Sequence, residues 1–241
     1  MNQVDRKLKS LSIFFPCYND GGAIASMVVC AQIVGRKVSE DFEVIVVDDC
    51  SSDNSPIVLE ELKSKYQNLK VIKHSANTGY GGALKAGFSN AKKEFVFYTD
   101  GDAQYRVSDL EKLVPLMNED IDIVNGYKMN RCDPFYRIII GKAYNLLMKV
   151  VFGIKIKDVD CDFRLMRRKV FDGIELRYNS GVICVEMIKK IQDAGFKFAE
   201  VGVTHYFRAA GKSQFFNFKR LLNVLVDLAK LKWKLSFKRG R

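Results

Sequence analysis

The 241-residue chain lacks any apolar run long enough to span a bilayer. Its most apolar long segment, Ile138 to Ile154, is interrupted by Lys142 and Lys149, whereas a spanning helix needs about 20 mostly apolar residues. No transmembrane helix is expected. The start, MNQVDRKLKSLSIFF, has no apolar h-region followed by a small-residue cleavage site, so no signal peptide is expected either. Cysteines 17, 30, 50, 132, 161 and 184 form no C-x-x-C pair and no secreted disulfide framework, and a reducing cytoplasm is expected. His74 and His205 have no metal-ligand spacing. There is no internal repeat, no low-complexity linker and no base-reading module, so nucleic acid is not an expected partner.

The chain does have enough apolar residues, 48%, to bury the core of one α/β domain. It also has an uneven excess of positive charge. The formal charge is +11, and residues 212–241 carry nine Lys or Arg against the single acid Asp227. Such a block fits an anionic membrane, an acidic partner or nucleic acid, and charge alone does not choose. Leu221, Leu222, Leu225, Leu228 and Leu231 recur at helical spacing among these basic residues. The pattern predicts a basic amphipathic helix over 214–235 that lies on a membrane with Trp233 near the headgroups, the alternative being a helix packed on the core.

Short apolar β-rich runs at 11–16, 43–47, 70–73 and 94–99 alternate with helical stretches at 24–38, 55–66 and 82–91. This βαβαβαβ rhythm predicts a doubly wound, mostly parallel sheet flanked by helices, with the ligand site at the carboxyl ends of the strands. Further on, a helix is expected over 107–117, a strand over 121–126, and a helix or helical pair over 138–154. Then come a strand over 163–166, a helix over 182–194 and a strand over 198–203. One catalytic domain is expected over 1–213, with a donor half to about residue 110 and an acceptor half over 111–213; residues 214–241 follow as the C-terminal helix.

The strongest local signal is DGDAQ, Asp100 to Gln104, directly after EFVFYT. Two carboxylates at i and i+2 and an amide at i+4 can converge on one hard divalent cation, Mg²⁺ or Mn²⁺. A plain solvated turn would use the same residue types. FPCYND (15–20) and VVDDCSSDN (46–54) end the first two strands and place further acids on the same rim. GYGG lacks both the Lys-Ser/Thr ending of a phosphate loop and the spacing of a dinucleotide fingerprint.

Taken in order, FPCYND, VVDDCSSDN, NTGYGGALKAGF (77–88), DGDAQ, FRLMRR (163–168) and HYFRAAGKS (205–213) resemble the family 2 glycosyltransferases. That resemblance implies the GT-A, or nucleotide-diphospho-sugar transferase, fold. Within the family the pattern is most similar to the polyprenyl-phosphate glycosyltransferases, the group that includes dolichyl-phosphate mannose synthase. It implies a nucleotide-sugar donor framed by Pro16, Tyr18, Asp20, Asp48, Asp49, Asp53, Asn77, Gly79, Asp100 and Gly101. Asp20 stands where Glu is more usual. Asp100, Asp102 and Gln104 would hold the metal ion, and Asp102, Arg208 and Lys212 would act on the diphosphate.

On the acceptor side the resemblance points to Lys128, Arg137 and Arg164, with three departures. Lys128 lies in Gly-Tyr-Lys where Gly-Ser-Arg is common, Gly141 replaces a Ser, and Asp162 replaces a Gly before Phe-Arg. The implied reaction inverts the anomeric carbon by direct displacement, with a slight lean to UDP-sugars over GDP-mannose. A phosphate acceptor needs no general base, whereas a hydroxyl of a glycan or glycolipid would need one, for which Asp158, Asp160 and Asp162 are candidates. The expected setting is the cytoplasmic face of a membrane, with a lipid phosphate, anionic lipid and a membrane partner protein or second copy as partners. A catalytically silent nucleotide-binding or scaffolding protein is the reading from another class.

Overall fold

Among the residues that the computed structural model describes (7–129, 135–208 and 218–238, with side chains at 223–235 of the last segment), seven strands and seven α-helices are present. β1 (Leu8–Cys17), β2 (Ser39–Asp48), β3 (Leu69–Lys73) and β4 (Phe95–Thr99) are joined by α1 (Ile24–Val38), α2 (Ser55–Lys65) and α3 (Tyr80–Asn90). These strands are mutually parallel, β1 lying between β2 and β4. Parallel neighbours need helical crossovers, which cover both faces of the sheet and explain the nearly unbroken apolar runs. Ile13, Phe15, Val44, Val46 and Phe97 enter the core on one face, and Phe14, Ile45, Val47, Val96 and Tyr98 the core on the other.

The stretch expected as one helix over 107–117 is a 3₁₀ turn (Val107–Asp109), the single-turn α4 (Leu110–Leu113) and a second 3₁₀ turn (Val114–Leu116). Pro115 has no N–H to give the Glu111 carbonyl, so the α-helical ladder stops there. Beyond β5 (Ile123–Met129), α5 (Phe135–Phe152) is one helix rather than a pair. It ends at Gly153, whose φ of +63° and N–H bond of 2.9 Å to the Lys149 carbonyl make a left-handed cap.

β6 (Phe163–Arg167), α6 (Val182–Asp193), β7 (Phe198–Thr204) and α7 (Phe218–Lys238) complete the fold. The sheet order is β3-β2-β1-β4-β6-β5-β7. Only β6 runs against its neighbours, antiparallel to both β4 and β5, while β7 is parallel to β5. This one reversal builds the site. The other strands end on the functional rim, whereas β6 begins there, with Phe163 opposite Thr99. Residues 158–162 are thereby set beside Asp100.

Leu228 and Leu231 of α7 are buried against α5 and α6, in a cluster with Met148, Phe152, Val185 and Ile188. Leu225 is 52% exposed. The leucine stripe foreseen as one membrane-facing surface is therefore split, because each fully buried leucine gains about 1.5–3 kcal/mol from the core. The side chains of Leu221 and Leu222 lie outside the described ones. Among the described residues no helix is long and apolar enough to cross a membrane.

Candidate active site

The DGD turn leaves the end of β4 and crosses the end of β1. A Cβ on Gly101 would lie 2.6 Å from the Pro16 carbonyl oxygen, so glycine alone permits this approach. Ala103 follows at φ +59°, and the Asp102 carboxylate closes the turn by accepting the Gln104 N–H at 3.0 Å. Gly101→Ala should push the turn off β1 at a cost of about 1–3 kcal/mol. The check is a lower urea midpoint accompanied by weaker nucleotide-sugar binding.

The loops after β1 and β2 are tied to each other. Asn19, at φ +57°, accepts the Ser52 N–H at 2.8 Å through Oδ1 and donates its own N–H to Ser51 Oγ at 3.0 Å. Asp53 accepts from Gly21 N–H at 3.0 Å and Ser55 N–H at 2.9 Å, and Asp48 from Ser51 N–H at 3.0 Å. Asp49 gathers His74 Nδ1 at 2.7 Å, Thr78 N–H at 2.8 Å, Thr78 Oγ1 at 2.7 Å and Gly79 N–H at 2.9 Å. Asn77 donates to the Asp49 carbonyl at 3.2 Å. Gly79 immediately precedes α3 at φ +80°, with a Cβ position only 2.7 Å from the Asn179 carbonyl oxygen. Asp48, Asp49, Asp53, Asn77 and Gly79 thus hold the loops of the rim in shape. Tyr18 and Asp20 lie beside them at the end of β1.

The segment after β7 closes the other side. Tyr105 and His205 form a bridge, Tyr206 N–H donates to the Gln104 carbonyl at 2.8 Å, and Gln104 Nε2 donates back to the Tyr206 carbonyl at 3.2 Å. This pairing delivers Arg208, whose guanidinium donates to Asp102 at 3.0 Å and to Asp20 at 2.6 Å. Burial pushes the Asp20 carboxyl up to about 6, with Arg208 opposing and Asp102 adding to the rise. Burial likewise raises Asp102 against the pull of Arg208. Asp100 is raised well above the carboxylate range by burial beside Asp162 and Asp102, although the Tyr80 hydroxyl donates to it at 2.7 Å. Lys212, expected to work with Arg208, lies outside the described residues.

Gln104, expected as a third metal ligand through its amide oxygen, donates its amide nitrogen to the Tyr206 carbonyl at 3.2 Å. Among the described residues no three His, Cys, Asp or Glu side chains form a metal cage. Asp100 and Asp102 nevertheless form a pair of hard oxygen donors short of positive charge. That set fits Mg²⁺ or Mn²⁺, which are held by one or two carboxylates and complete their shells with phosphate oxygens and water.

A second cluster stands beside Asp100. Arg164 is fully buried; it donates to Asn125 Oδ1 at 2.7 Å, Asp162 at 2.5 Å and the Val159 carbonyl at 2.7 Å, and also to the Tyr98 hydroxyl. Burial would raise Asp162, but Arg164, with the Cys184 thiol and Tyr98 hydroxyl donating, holds it below its ordinary value. Arg164 has no exposed surface, and its guanidinium is taken up by the four groups to which it donates. Lys128 is also drawn inward, donating to the Asp160 carbonyl at 2.6 Å and its carboxylate at 3.2 Å. Asp158 is occupied by Asn145 at 3.0 Å and the Asp160 N–H at 3.1 Å. Asp160 retains 39% of its side-chain surface. Arg137 is half-buried in the first turn of α5. Tyr98, Asn125 and Asn145 went unnoticed in the sequence; a polar residue inside an apolar strand, as at Tyr98 and Asn125, is the signal that could have marked two of them.

The mostly parallel sheet, its carboxylate rim and the arginine facing them define an α/β domain of the GT-A class. A family model described as glycosyl transferase family 2 matches residues 12–174, well over half of the chain, and the chain belongs to that family of glycosyltransferases. Among solved structures, glucosyl-3-phosphoglycerate synthase from Mycobacterium tuberculosis, in complex with Mn²⁺, UDP-glucose and phosphoglyceric acid, is similar at a TM-score of 0.69. It is 17% identical over 93% of this chain and 80% of that one. A mannosyltransferase from Pyrobaculum calidifontis in complex with GDP-mannose and Mn²⁺ is similar at a TM-score of 0.62, with 19% identity over 83% of this chain and 58% of that one. At these identities the structural likeness establishes the fold alone.

Proposed function

We propose that this glycosyltransferase moves a sugar, with inversion, from a UDP- or GDP-linked donor to a polyprenyl phosphate at a membrane surface. The observation that carries the proposal is the pair of hydrogen bonds that Arg208 donates to Asp102 and Asp20, which stations a two-pronged cation beside an under-neutralised carboxylate pair. A donor diphosphate needs both features: carboxylates to hold its counter-ion and a guanidinium fork for its oxygens. The similar structures were solved with Mn²⁺ and either UDP-glucose or GDP-mannose, which supports a divalent cation and leaves both nucleotides in play.

Asp100 and Asp102 would hold Mg²⁺ or Mn²⁺, which when bound offsets the charge that builds on the departing diphosphate. Arg208 would exchange its carboxylate partners for diphosphate oxygens, with Lys212 four residues on as a second cation. Pro16 at the end of β1, with Tyr18 and Asp20 on the loop that follows, would line the nucleoside pocket beside the loops held by Asp48, Asp49 and Asp53. An acceptor phosphate oxygen attacks the anomeric carbon opposite the diphosphate, and the bond to the diphosphate breaks with its electron pair leaving on the nucleotide. With a second pKa of about 6, a phosphate is largely ionised at neutral pH and needs no base. Lys128 and Arg137 are the cations proposed to meet it.

The exposure of Asp160 favours a second reading, a hydroxyl acceptor. Partly exposed and held by Lys128 at 3.2 Å, this carboxylate could serve as a general base. The two readings separate in one experiment: nucleoside diphosphate release from UDP- and GDP-sugars with Mn²⁺ or Mg²⁺, with and without a short-chain polyprenyl phosphate. Lipid-phosphate-dependent turnover that survives in Asp160→Asn within a few-fold supports the proposal. Turnover that ignores the lipid phosphate and drops by about 10²–10⁴ in Asp160→Asn would put a hydroxyl acceptor in its place.

A further inference from the structure

The helix that borders the carboxylate loop on its inner side is apolar on its outer side. Asn145 of α5 holds Asp158 at 3.0 Å and accepts the Val159 N–H at 2.8 Å, and Met148 and Phe152 enter the core. Facing away, Tyr136, Ile139, Leu146 and Val150 follow one another at helical spacing and are 55%, 51%, 63% and 75% exposed. The stripe is about 20 Å long at the α-helical rise. Exposed apolar surface on this scale marks an interaction site rather than ordinary protein surface.

Charge selects the occupant. α5 carries Arg137, Lys142 and Lys149 and no acid. At the Val150 end of the stripe a crevice of about 510 Å³ opens between α5, α6 and α7, lined by Lys155, Lys189 and Lys232 with Asp193 as its one acid. Asp193 is already paired with Lys189, so the lining presents net positive charge. Exposed Lys230, Lys234 and Trp233 of α7 continue the basic surface. An apolar stripe bordered by cations and almost free of acids complements anionic headgroups over acyl chains, with aromatic rings suited to the boundary.

We infer that the outer face of α5 is the lipid-inserting surface of this protein and that it takes an anionic phospholipid bilayer, with the basic crevice and α7 lying against the headgroups. Leu228 and Leu231 of α7 do not fill that role, since both are in the core. The inference rests on the membrane-surface reading above. It adds an orientation: with α5 down, residues 158–162 and Asp100 lie directly behind the inserted helix, where the phosphate of a bilayer-held acceptor would arrive.

The test is co-sedimentation of the full chain with vesicles of phosphatidylcholine alone and with about one third phosphatidylglycerol, for wild type and for Ile139→Glu/Leu146→Glu. Wild type should bind the anionic vesicles and bind the neutral ones at least tenfold more weakly. The double variant should lose about tenfold or more of the anionic binding, since two apolar side chains are withheld from the acyl region. Both changes are on exposed positions, and an unchanged melting temperature checks the fold. Trp233, the chain's single tryptophan, should shift its emission to the blue only where binding occurs. Equal binding by the double variant overturns the inference, as does a wild type that ignores anionic vesicles. So does a wild-type dimer that the two glutamates convert to monomer, which would make α5 a contact between copies. Turnover on a short, water-soluble polyprenyl phosphate tells the two ideas apart. Turnover without vesicle binding sinks the α5 surface alone, and vesicle binding without lipid-phosphate turnover sinks the acceptor reading alone.

Discussion

Asp102→Asn should lower kcat/KM for nucleotide-sugar turnover by about 10²–10³ and abolish the response to added Mn²⁺, while the melting temperature stays level or rises. The activity loss follows from the two duties of this carboxylate, as half of the proposed cation-binding pair and as the acceptor for Arg208 at 3.0 Å. A counter-ion on a leaving diphosphate supplies several kcal/mol, and each 1.36 kcal/mol is tenfold in rate. The stability prediction takes the opposite sign. Burial raises the Asp102 carboxyl, and a raised carboxyl contributes stability that is present at low pH and lost as pH rises through its folded value. At neutral pH its charge is therefore a cost, which an uncharged isostere removes. Asparagine also retains an oxygen for the Gln104 N–H, so the turn keeps its closing bond. Turnover assays with a metal titration, paired with thermal unfolding, check both halves. A large fall in melting temperature together with activity would mean that Asp102 serves the fold and not the donor.

The largest stability effect should come from Arg164→Met, at about 3–5 kcal/mol, because it strips a buried carboxylate of its partner. Arg164 ties Asp162, Tyr98, Asn125 and the Val159 carbonyl into one knot where β4, β6 and β5 meet. Methionine fills part of the volume and supplies none of the four bonds. At about 2–4 °C per kcal/mol for a chain of this size, the melting temperature at pH 7 should fall by roughly 6–20 °C. The pH dependence has a definite sign. Arg164 holds Asp162 below its ordinary value, so the pair stabilises above the unfolded carboxylate value and loses that contribution as pH falls through the folded one. The gap between wild type and variant should therefore be widest at neutral pH and narrow below about pH 4. A drop of only a degree or two at pH 7 would show that neighbouring groups or water neutralise Asp162 without Arg164.

Both variants probe the rim, and the two halves of the rim were not equally legible from the chain. Local order alone placed Asp100 and Asp102. An apolar run that ends in D-G-D has one place to go in a parallel sheet, the carboxyl end of a buried strand. The same argument placed FPCYND and the acids 48, 49 and 53, and the structure adds that Asp49 and Asp53 bond to the backbone of neighbouring loops. Which carboxylates are occupied by N–H groups and which face the cleft depends on donors some 25 to 32 residues away, such as Thr78 and Gly79 on Asp49 and Gly21 on Asp53. No spacing rule reaches that far.

What the sequence determined by itself was the alternating α/β order, the DGD turn and the excess of positive charge, because each rests on residues within one helix or one strand end. Only the tertiary structure decided that β6 runs antiparallel, bringing residues 158–162 to the rim beside Asp100, and that Arg164 is an internal tie rather than a surface cation. The tertiary structure also decided which apolar stripe faces out. Period and composition make the leucines of α7 and the isoleucines of α5 equally good candidates. Burial is a competition between elements, settled where Leu228 and Leu231 pack against α5 and α6, while Ile139, Leu146 and Val150 of α5 stay about half or more exposed.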